Sequence, residues 1–502
     1  MPPKPPNLLY VFPDQFRQAS LGLWSRAPYQ HHHQGLPDPV HTPNLDAFAQ
    51  QACVLTHAVS NFPVCSPHRG SLFSGCYPNK SGVPLNCHSG RPISNLPSDQ
   101  QGFTDILAQQ GYSVGYIGKW HLDWPTANDP EHPGEYVDPN RPAWDSYTEP
   151  HRRHGIDYWY GYGTFDQHHN PHYYDNQGKR HQPNQWSAEH EASQAVAYLD
   201  NLDGQRDPNK PFALFVAMNP PHSPYHQAQD CSAEDLPRYQ HLAPYELLRR
   251  ENAKWAMDKA RCAPYYFANV SGVDRQFGRI IDRLIELDEW ENTLIVFTSD
   301  HGETLCSHGL SDAKNSIFHE SFCVPFIAKL PHQRAGTINP TLLSSPDIMP
   351  TVLALLGVEH LPTSQVQGHN LAAFIKSETD NRNVPLGPKS ALYIRNIDGE
   401  VNPSGNVISY FAQSRGVKTH RYTLALTINP AYQLEQILFF DDELDPYQQH
   451  NLTFDPHGTV ERDLLQQLAD ELSRIDDPWA NLGVLADMLT YTRPKQKANH
   501  DQ

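Results

Sequence analysis

Four short runs of hydrophobic residues are spread along the chain, at positions 8–12, 114–117, 212–218 and 294–297. Each run is continuous rather than alternating, and together they are rich in leucine, β-branched and aromatic residues. Continuous runs of this length are typical of strands that are buried on both faces of a parallel sheet. The pattern therefore predicts a central sheet to which these four segments contribute strands.

Segments with helical spacing of hydrophobic residues lie between and after these runs. Positions 44–49, 269–287 and 347–356 place their apolar residues on one face of a helix. Strands that alternate with helices along the chain are typical of an α/β fold, in which helices cover the faces of a central sheet. We predict that architecture for the larger part of the chain.

Polar residues that can bind a metal or carry a proton follow each of the four predicted strands. They are, in chain order, Asp14 with Gln15, Lys119 with His121, His222, and Asp300 with His301. Ligands of open α/β sheets bind beyond the carboxyl ends of the strands. We therefore expect these side chains to meet at one edge of the sheet and to form the active site.

The last part of the chain has a different pattern. Short alternating stretches such as positions 421–426 are followed by a helical segment at 460–475. Alternation with a period of two predicts half-buried antiparallel strands. We predict a catalytic α/β domain over residues 1–388 and a C-terminal subdomain, an antiparallel sheet with one helix, over residues 389–502.

Composition and charge exclude some functions. The chain has 502 residues and a formal net charge of −18, which disfavours nucleic acid and anionic membranes as partners. No hydrophobic run is long enough to cross a bilayer. The start shows no signal peptide, so we expect a cytoplasmic protein as written, or a periplasmic one if a signal has been removed. The eight cysteines form no CxxC pair, which disfavours a zinc ribbon.

One of these cysteines begins the strongest motif in the chain. Residues 65–70 read Cys-Ser-Pro-His-Arg-Gly, residues 118–122 read Gly-Lys-Trp-His-Leu, and residues 299–303 read Ser-Asp-His-Gly-Glu. In this order the three segments resemble the motifs of type I sulfatases, and the resemblance extends from residue 7 to about residue 452. It implies an alkaline phosphatase-like fold with a central, mostly parallel sheet between helices, and it implies hydrolysis of a sulfate ester.

The resemblance also implies a metal and a modified nucleophile. In this family the cysteine is oxidised to formylglycine by a formylglycine-generating enzyme, which we expect to act on Cys65. Its hydrated form would attack sulfur with one hydroxyl, and loss of a proton from the other would expel sulfate. The expected metal is calcium, with manganese or magnesium as alternatives. Its ligands by resemblance are Asp14, Gln15, Cys65, Asp300 and His301.

Two of these ligands depart from the commonest pattern of the family. Gln15 stands where many sulfatases have Asp, and His301 stands where many have Asn. Gln15 offers an uncharged carbonyl oxygen, and an imidazole nitrogen is a less typical ligand for calcium than oxygen. The substitutions therefore leave the identity of the metal open.

The remaining roles also follow from the resemblance. Arg69 would orient the diol, and Lys119 and Lys314 would hold sulfate oxygens. His121 would be the base that releases sulfate, and His222 would protonate the leaving alcohol. A fixed set of positive groups suits this reaction, because negative charge moves to the bridging oxygen as the bond breaks.

The substrate is less closely defined by the sequence. A histidine-rich segment with His168, His169 and His172 is either a substrate-binding loop or a solvated one. The aromatic residues expected to stack on sugar rings are Trp144, Trp159, Tyr160, Tyr162, Tyr173 and Tyr174. Size and motifs are similar to bacterial sulfatases of the carrageenan and glycosaminoglycan groups, so we expect a sulfated saccharide. Two alternatives stay open: a phosphodiester or phosphonate hydrolase of the same superfamily, and a silent glycan-binding protein. The oligomeric state stays open as well.

Overall fold

The computed structural model describes residues 5–125, 142–165, 167–358, 361, 365–377 and 387–490. Its largest element is a ten-stranded sheet. The strands are β1 Asn7–Val11, β2 Cys53–Val59, β3 Ser113–Lys119, β4 Tyr158–Tyr162, β5 Tyr173–Tyr174, β6 Arg180–His181, β7 Phe212–Ala217, β8 Thr293–Thr298, β9 Phe326–Lys329 and β10 Thr337–Ser344.

The order of strands across the sheet is β10-β2-β9-β8-β1-β7-β3-β4-β5-β6. The four strands predicted from hydrophobic runs, β8, β1, β7 and β3, are neighbours at its centre and pair in parallel. β4 pairs in parallel with β3, and β10 with β2. β9 is antiparallel to both strands beside it, and β4, β5 and β6 pair antiparallel with one another in that order. The sheet is therefore mixed and mostly parallel, as predicted.

Two layers of helices cover the sheet. The helices of the catalytic region are α1 Pro43–Ala49, α2 Cys65–Ser74, α3 Pro78–Ser81, α4 Phe103–Gln109, α5 Ser187–Leu199, α6 Pro244–Leu247, α7 Ala263–Glu286, α8 His319–Phe322, α9 Ser345–Leu355 and α10 Ala372–Lys376. Alternate residues of β1 face the two helix layers on opposite sides of the sheet. Leu9 and Val11 face the core with α1, α5 and α7, and Leu8 and Tyr10 face the core with α2, α4 and α9.

A second sheet follows in the chain. Its strands are β11 Ala391–Asp398, β12 Tyr410–Lys418, β13 Tyr422–Ile428 and β14 Leu434–Asp441. They pair in chain order and antiparallel, and they are followed by α11 Thr459–Arg474 and α12 Gly483–Thr490. Leucines of α11 share a hydrophobic core with β11–β13. The predicted antiparallel sheet with a helix is confirmed, and the boundary after residue 388 stays a prediction.

The C-terminal sheet packs directly against the segment that leads to Cys65. Phe62 and Val64 belong to the same core as β11–β13 and α11, and the backbone N–H of Ile394 donates to the carbonyl of Asn61 at 2.7 Å. Among the described residues, no helix combines the length and hydrophobicity needed to span a bilayer. The predicted compartment stays a prediction.

Candidate active site

The carboxyl ends of the four central strands meet at one edge of the sheet, where the N-terminus of α2 also lies. The predicted convergence is confirmed by side-chain contacts that join all four strand ends and α2. Lys119 and Asp14 form an ion pair at 2.7 Å, and His301 lies 3.4 Å from Asp14. Lys314, from the loop after β8, reaches His222 at 3.0 Å. The strand-end rule thus located the site from the sequence.

A candidate metal centre lies in the middle of this arrangement. Single ligand atoms of Asp14, Cys65, Asp300 and His301 all lie within 4.8 Å of one another, and all four residues are buried. The Nδ1–H of His301 donates to the carbonyl of Gly302 at 2.9 Å, which turns the lone pair of Nε2 toward the cluster. The carboxylates suit a hard divalent cation, and the imidazole suits a transition metal better than calcium. This donor set fits a metal.

The two carboxylates in the cluster have opposite pKa shifts. Burial alone would raise the pKa of Asp14, but Lys119, His222 and Arg69 hold it well below its usual range. Burial and the adjacent charge of Asp14 raise the pKa of Asp300. Two buried carboxylates side by side repel each other, so the pair favours a bound cation.

Gln15, whose side chain is neutral, lies beside the candidate metal centre. Its backbone lies in the left-handed region at φ 64°, and its N–H donates to Asp300 at 3.0 Å. The side-chain amide donates to the carboxylate of Glu303, so its carbonyl oxygen faces Lys314, 3.5 Å away. Glu303 is itself held by Lys259 at 2.9 Å. The geometry is compatible with the predicted ligand role, which stays a prediction.

Arg69, in α2, offsets the negative charge of the Asp14 and Asp300 carboxylates. The side chain is fully buried and lies 3.1 Å from Asp14 and 3.3 Å from Asp300. It also donates to the backbone carbonyl of Lys119 at 2.6 Å. Arg69 therefore ties the ends of three strands, β1, β3 and β8, to the helix that begins with Cys65.

The thiol of Cys65, the precursor of the expected formylglycine, lies among cations. Its Sγ is 3.0 Å from Lys314 Nζ, 3.3 Å from His301 Nε2 and 3.8 Å from Lys119 Nζ. Burial would raise the pKa of this thiol, but Lys119, Lys314 and His301 together lower it well below its usual value. Cys65 also begins α2, and the N-terminus of a helix favours an anion. The position therefore stabilises negative charge at residue 65.

Lys314 and His222 form a pair at the entrance side of the nucleophile. The Nδ1–H of His222 donates to the carbonyl of Ser223 at 2.9 Å, which leaves Nε2 to accept from Lys314. Burial lowers the pKa of Lys314, but Cys65 and Asp14 raise it above its usual value. Lys314 therefore keeps its proton and can share it with His222.

His121 reaches the site through a strained end of β3. Its φ is 53° and that of Gly118 is 100°, and a side chain at position 118 would collide with the carbonyl oxygen of Ala217. The Nε2–H of His121 donates to the carbonyl of Cys87 at 3.0 Å. Burial lowers its pKa, which favours the neutral imidazole that a base requires.

The three histidines of the predicted substrate loop contact protein groups. His168 is buried and donates to the carbonyl of His222 at 2.7 Å. His172 pairs with Asp145 at 2.7 Å and stacks on the ring of Phe165. His169 contacts the carbonyl of Cys231 at 3.4 Å. These contacts link the loop to His222, and a direct role in substrate binding stays a prediction.

One expectation about the aromatic residues was wrong. Trp159, Tyr160 and Tyr162 lie in β4, and Tyr173 and Tyr174 form β5, where all five are buried. Each contacts other rings inside the molecule, as Tyr160 does Tyr173 at 4.9 Å and Trp159 does Tyr116 at 5.3 Å between ring centroids, so they are core residues and cannot stack on a sugar. A sixth aromatic residue, Trp144, is half-buried beside His121.

Two residues of the site were missed by the sequence reasoning. Glu303 orients Gln15, and the side-chain oxygen of Asn86 accepts from the N–H of Ser66 at 2.9 Å, in the first turn of α2. Glu303 lies in the quoted segment 299–303 but had no role assigned to it. Asn86 carries no motif, so nothing in the sequence marked it.

A helix-covered, mostly parallel sheet with a buried candidate metal site and a cysteine at a helix N-terminus is the arrangement of hydrolases of the alkaline phosphatase-like class. The chain belongs to the sulfatase family, since the family model described as Sulfatase matches residues 6–358. A second model, described as N-sulphoglucosamine sulphohydrolase, C-terminal, matches residues 306–477. The protein is thus a sulfuric ester hydrolase.

Known proteins similar to this chain include sulfatases of bacterial origin. An endo-4-O-sulfatase of Bacteroides thetaiotaomicron is 48% identical over 97% of this chain and 95% of its own length. An ulvan-active sulfatase of Formosa agariphila is 29% identical over 99% of this chain and 86% of its own length. A solved structure from work on metabolism of multiple glycosaminoglycans by Bacteroides thetaiotaomicron has a TM-score of 0.92 and 48% identity, and covers 97% of this chain and 100% of that chain.

Proposed function

We propose that this sulfatase removes sulfate from a sulfated saccharide of the glycosaminoglycan type, with formylglycine at position 65 as nucleophile. The observation that carries the proposal is the position of the Cys65 thiol. It lies within 4 Å of Lys314, His301, Asp14 and Lys119, as Sγ distances of 3.0, 3.3, 3.7 and 3.8 Å show. Positive groups gathered around a nucleophile suit the attack on an anionic ester.

The metal in the proposal is calcium, with manganese or magnesium as alternatives. Asp14, Gln15, Asp300 and His301 would hold it together with residue 65, and it would supply Lewis-acid stabilisation of the sulfate oxygens and of the nucleophilic hydroxyl. Gln15 and His301 make this set less anionic than one built of carboxylates. We therefore expect weaker binding of calcium than an all-carboxylate site would give.

The remaining catalytic roles are assigned to five side chains. Arg69 fixes the carboxylates and the end of β3, and Lys119 and Lys314 bind sulfate oxygens. His222 together with Lys314, its neighbour at 3.0 Å, protonates the leaving oxygen. His121 takes the proton whose loss releases sulfate, because burial keeps its imidazole neutral near physiological pH.

The substrate class is supported by the endo-4-O-sulfatase that shares 48% of its sequence with this chain. We therefore place glycosaminoglycan-type saccharides first among the substrates and 4-O-sulfate first among the positions. The expectation of a carrageenan-type substrate stays a prediction for the same assay. A formylglycine-generating enzyme is the partner that the proposed maturation of Cys65 requires.

Release of inorganic sulfate tests the proposal. Protein produced together with a formylglycine-generating enzyme would be incubated, with and without calcium, with chondroitin, heparan and carrageenan oligosaccharides and with an aryl sulfate. We expect sulfate release from a chondroitin-type substrate, and none from the Cys65→Ala variant. Cys262→Ala is the matched control, because this half-buried cysteine lies outside the site.

The same assay separates the alternatives. Equal release by the Cys65→Ala variant would refute the proposed nucleophile. Release of phosphate from phosphonate or phosphodiester substrates at a higher kcat/KM than sulfate from any saccharide would favour the phosphoryl hydrolase. Binding of sulfated glycans without release, by protein whose Cys65 peptide has the mass of formylglycine, would favour the silent glycan-binding protein.

A further inference from the structure

A cleft of about 400 Å³ lies beside the active site, between the catalytic region and the C-terminal sheet. Its lining includes Lys314, which contacts Cys65, and Val64, the residue before Cys65, so the cleft adjoins the nucleophile. The lining also includes Arg91 and Asp398, the latter at the end of β11. Clefts of roughly 300–1,000 Å³ hold small organic ligands. This one therefore has room for a sugar ring beyond the ring that carries the sulfate.

Arg91 and Asp398 form a two-point ion pair across the boundary between the two sheets. Nε of Arg91 donates to one carboxylate oxygen at 2.8 Å, and Nη2 donates to the other at 3.1 Å. The side chains remain 19% and 43% exposed, so the pair stands at the rim of the cleft. With its bond to the carbonyl of Asn86, Arg91 uses three of its five guanidinium N–H groups in contacts with the described residues, so two further donors can turn to a ligand.

The pair is fixed relative to the nucleophile. The carbonyl of Asn86 accepts from Arg91 at 3.3 Å, and the side chain of the same Asn86 accepts from the N–H of Ser66 at 2.9 Å. Ser66 is the second residue of the helix that begins with Cys65. A short chain of hydrogen bonds therefore sets how far the rim lies from the reacting atoms.

We propose that Arg91 and Asp398 form a subsite for the sugar next to the sulfated one, a proposal that rests on the function proposed above. A guanidinium beside a carboxylate offers donors and an acceptor side by side, and two neighbouring hydroxyl groups offer the matching set. Asp398 also neutralises Arg91, so the rim does not attract sulfate away from Lys119 and Lys314. The half-buried side chain of Ile397 provides apolar surface in the same cleft.

The subsite predicts that the enzyme distinguishes a sulfated oligosaccharide from a sulfated monosaccharide. The measurement is kcat/KM for both substrates with full-length, formylglycine-containing protein, in the wild type and in the Arg91→Gln and Asp398→Asn variants. The ratio of oligosaccharide to monosaccharide kcat/KM should fall about 10- to 100-fold in each variant, through a higher KM, because hydrogen bonds to charged groups are lost. Asp398→Asn keeps the shape of the side chain and tests the charge alone.

Arg421→Gln is the matched control. Arg421, itself 47% exposed, pairs with the largely buried carboxylate of Asp441 in the same sheet at 2.8 Å, and it does not line the cleft. Thermal unfolding would verify that all three variants are folded.

An unchanged ratio in both rim variants, with normal sulfate release, overturns the subsite and leaves the proposed function intact. A wild type that cleaves an aryl sulfate but no sulfated saccharide overturns both. A drop of the ratio in the Arg421→Gln control as large as in the rim variants also overturns the subsite, because the effect would then be general to the sheet.

Discussion

Replacing Lys314 by Met tests the electrostatic argument for the active site. The change removes one positive charge and keeps most of the length of the side chain. Nζ of Lys314 lies 3.0 Å from Cys65 Sγ and 3.0 Å from His222 Nε2, so it contacts both the nucleophile and the group proposed to protonate the leaving oxygen. No other cation among the described contacts joins these two positions.

The expected loss can be worked from this geometry. Unit charges about 4 Å apart at an effective dielectric constant near 20 interact by about 4 kcal/mol. Each 1.36 kcal/mol corresponds to about tenfold in rate, so the upper limit is roughly a 1,000-fold loss. Removal of one positioned donor in other enzymes lowers kcat by about 100- to 1,000-fold. We therefore expect Lys314→Met to lower kcat by about 100- to 1,000-fold.

The assay is sulfate release at saturating substrate, with the formylglycine content of each sample measured by peptide mass. Lys254→Met is the matched control, since it removes a charge from an exposed lysine whose backbone N–H bonds to Cys306, in the loop that also carries Lys314. A kcat within about fivefold of the wild type for Lys314→Met, well below the smallest loss expected, would refute the reasoning. Lys314→Arg should keep part of the activity, because the charge remains but its geometry changes.

Three further predictions concern the metal, the end of β3 and the C-terminal sheet. Chelation of the metal should abolish sulfate release and lower the Tm, because two buried carboxylates lose their cation; activity of metal-free protein, verified by elemental analysis, would contradict this. Gly118→Ala should lose about 1–3 kcal/mol of stability and most of the activity, because the φ of 100° suits glycine alone and the change displaces Lys119; a native Tm would speak against that strain. Lys418 pairs with buried Asp442 at 2.7 Å, so Lys418→Met should lower the free energy of unfolding, measured in urea, by about 3–5 kcal/mol. A decrease below about 1 kcal/mol would exclude a strong ion pair. Burial would raise the pKa of Asp442, but Lys418 lowers it. The stability that Asp442 contributes is therefore present above about pH 4 and is lost as the pH falls below that value. In the Asp442→Asn variant the free energy of unfolding should decrease less at acid pH than in the wild type, and an equal decrease in both proteins would contradict the assignment.

The central sheet could be predicted because its inner strands have no polar face. Continuous apolar runs at β1, β3, β7 and β8 stood out, and these strands are neighbours in the structure. The outer strands gave weaker signals. β4 reads Tyr-Trp-Tyr-Gly-Tyr, a composition that also suits an exposed sugar-binding loop. Its burial results from packing against distant residues, as in the stacking of Trp159 on Tyr116 at 5.3 Å, which no local pattern encodes.

Some residues of the site could likewise be predicted from the sequence, and others could not. Those that follow a central strand, such as Asp14 and Asp300, could be placed from the strand-end rule, because parallel strands deliver their ends to one edge. The roles of Asn86 and Glu303 depend on side-chain contacts that span 20 and 288 residues of the chain. Such contacts follow from the completed fold and have no spacing of their own.

The burial of Cys65 determines when its proposed conversion to formylglycine can occur. Cys65 is 1% exposed, and residues 61–70 are all buried, with the C-terminal sheet packed against Phe62 and Val64. An enzyme that oxidises this thiol cannot reach it once the two sheets have docked. Under the proposed maturation, conversion therefore has to occur on the nascent or unfolded chain, and a molecule that folds first keeps its cysteine. The proposal thus predicts that the formylglycine content of a preparation depends on the relative rates of oxidation and folding, and that adding the maturation enzyme to folded protein does not raise it.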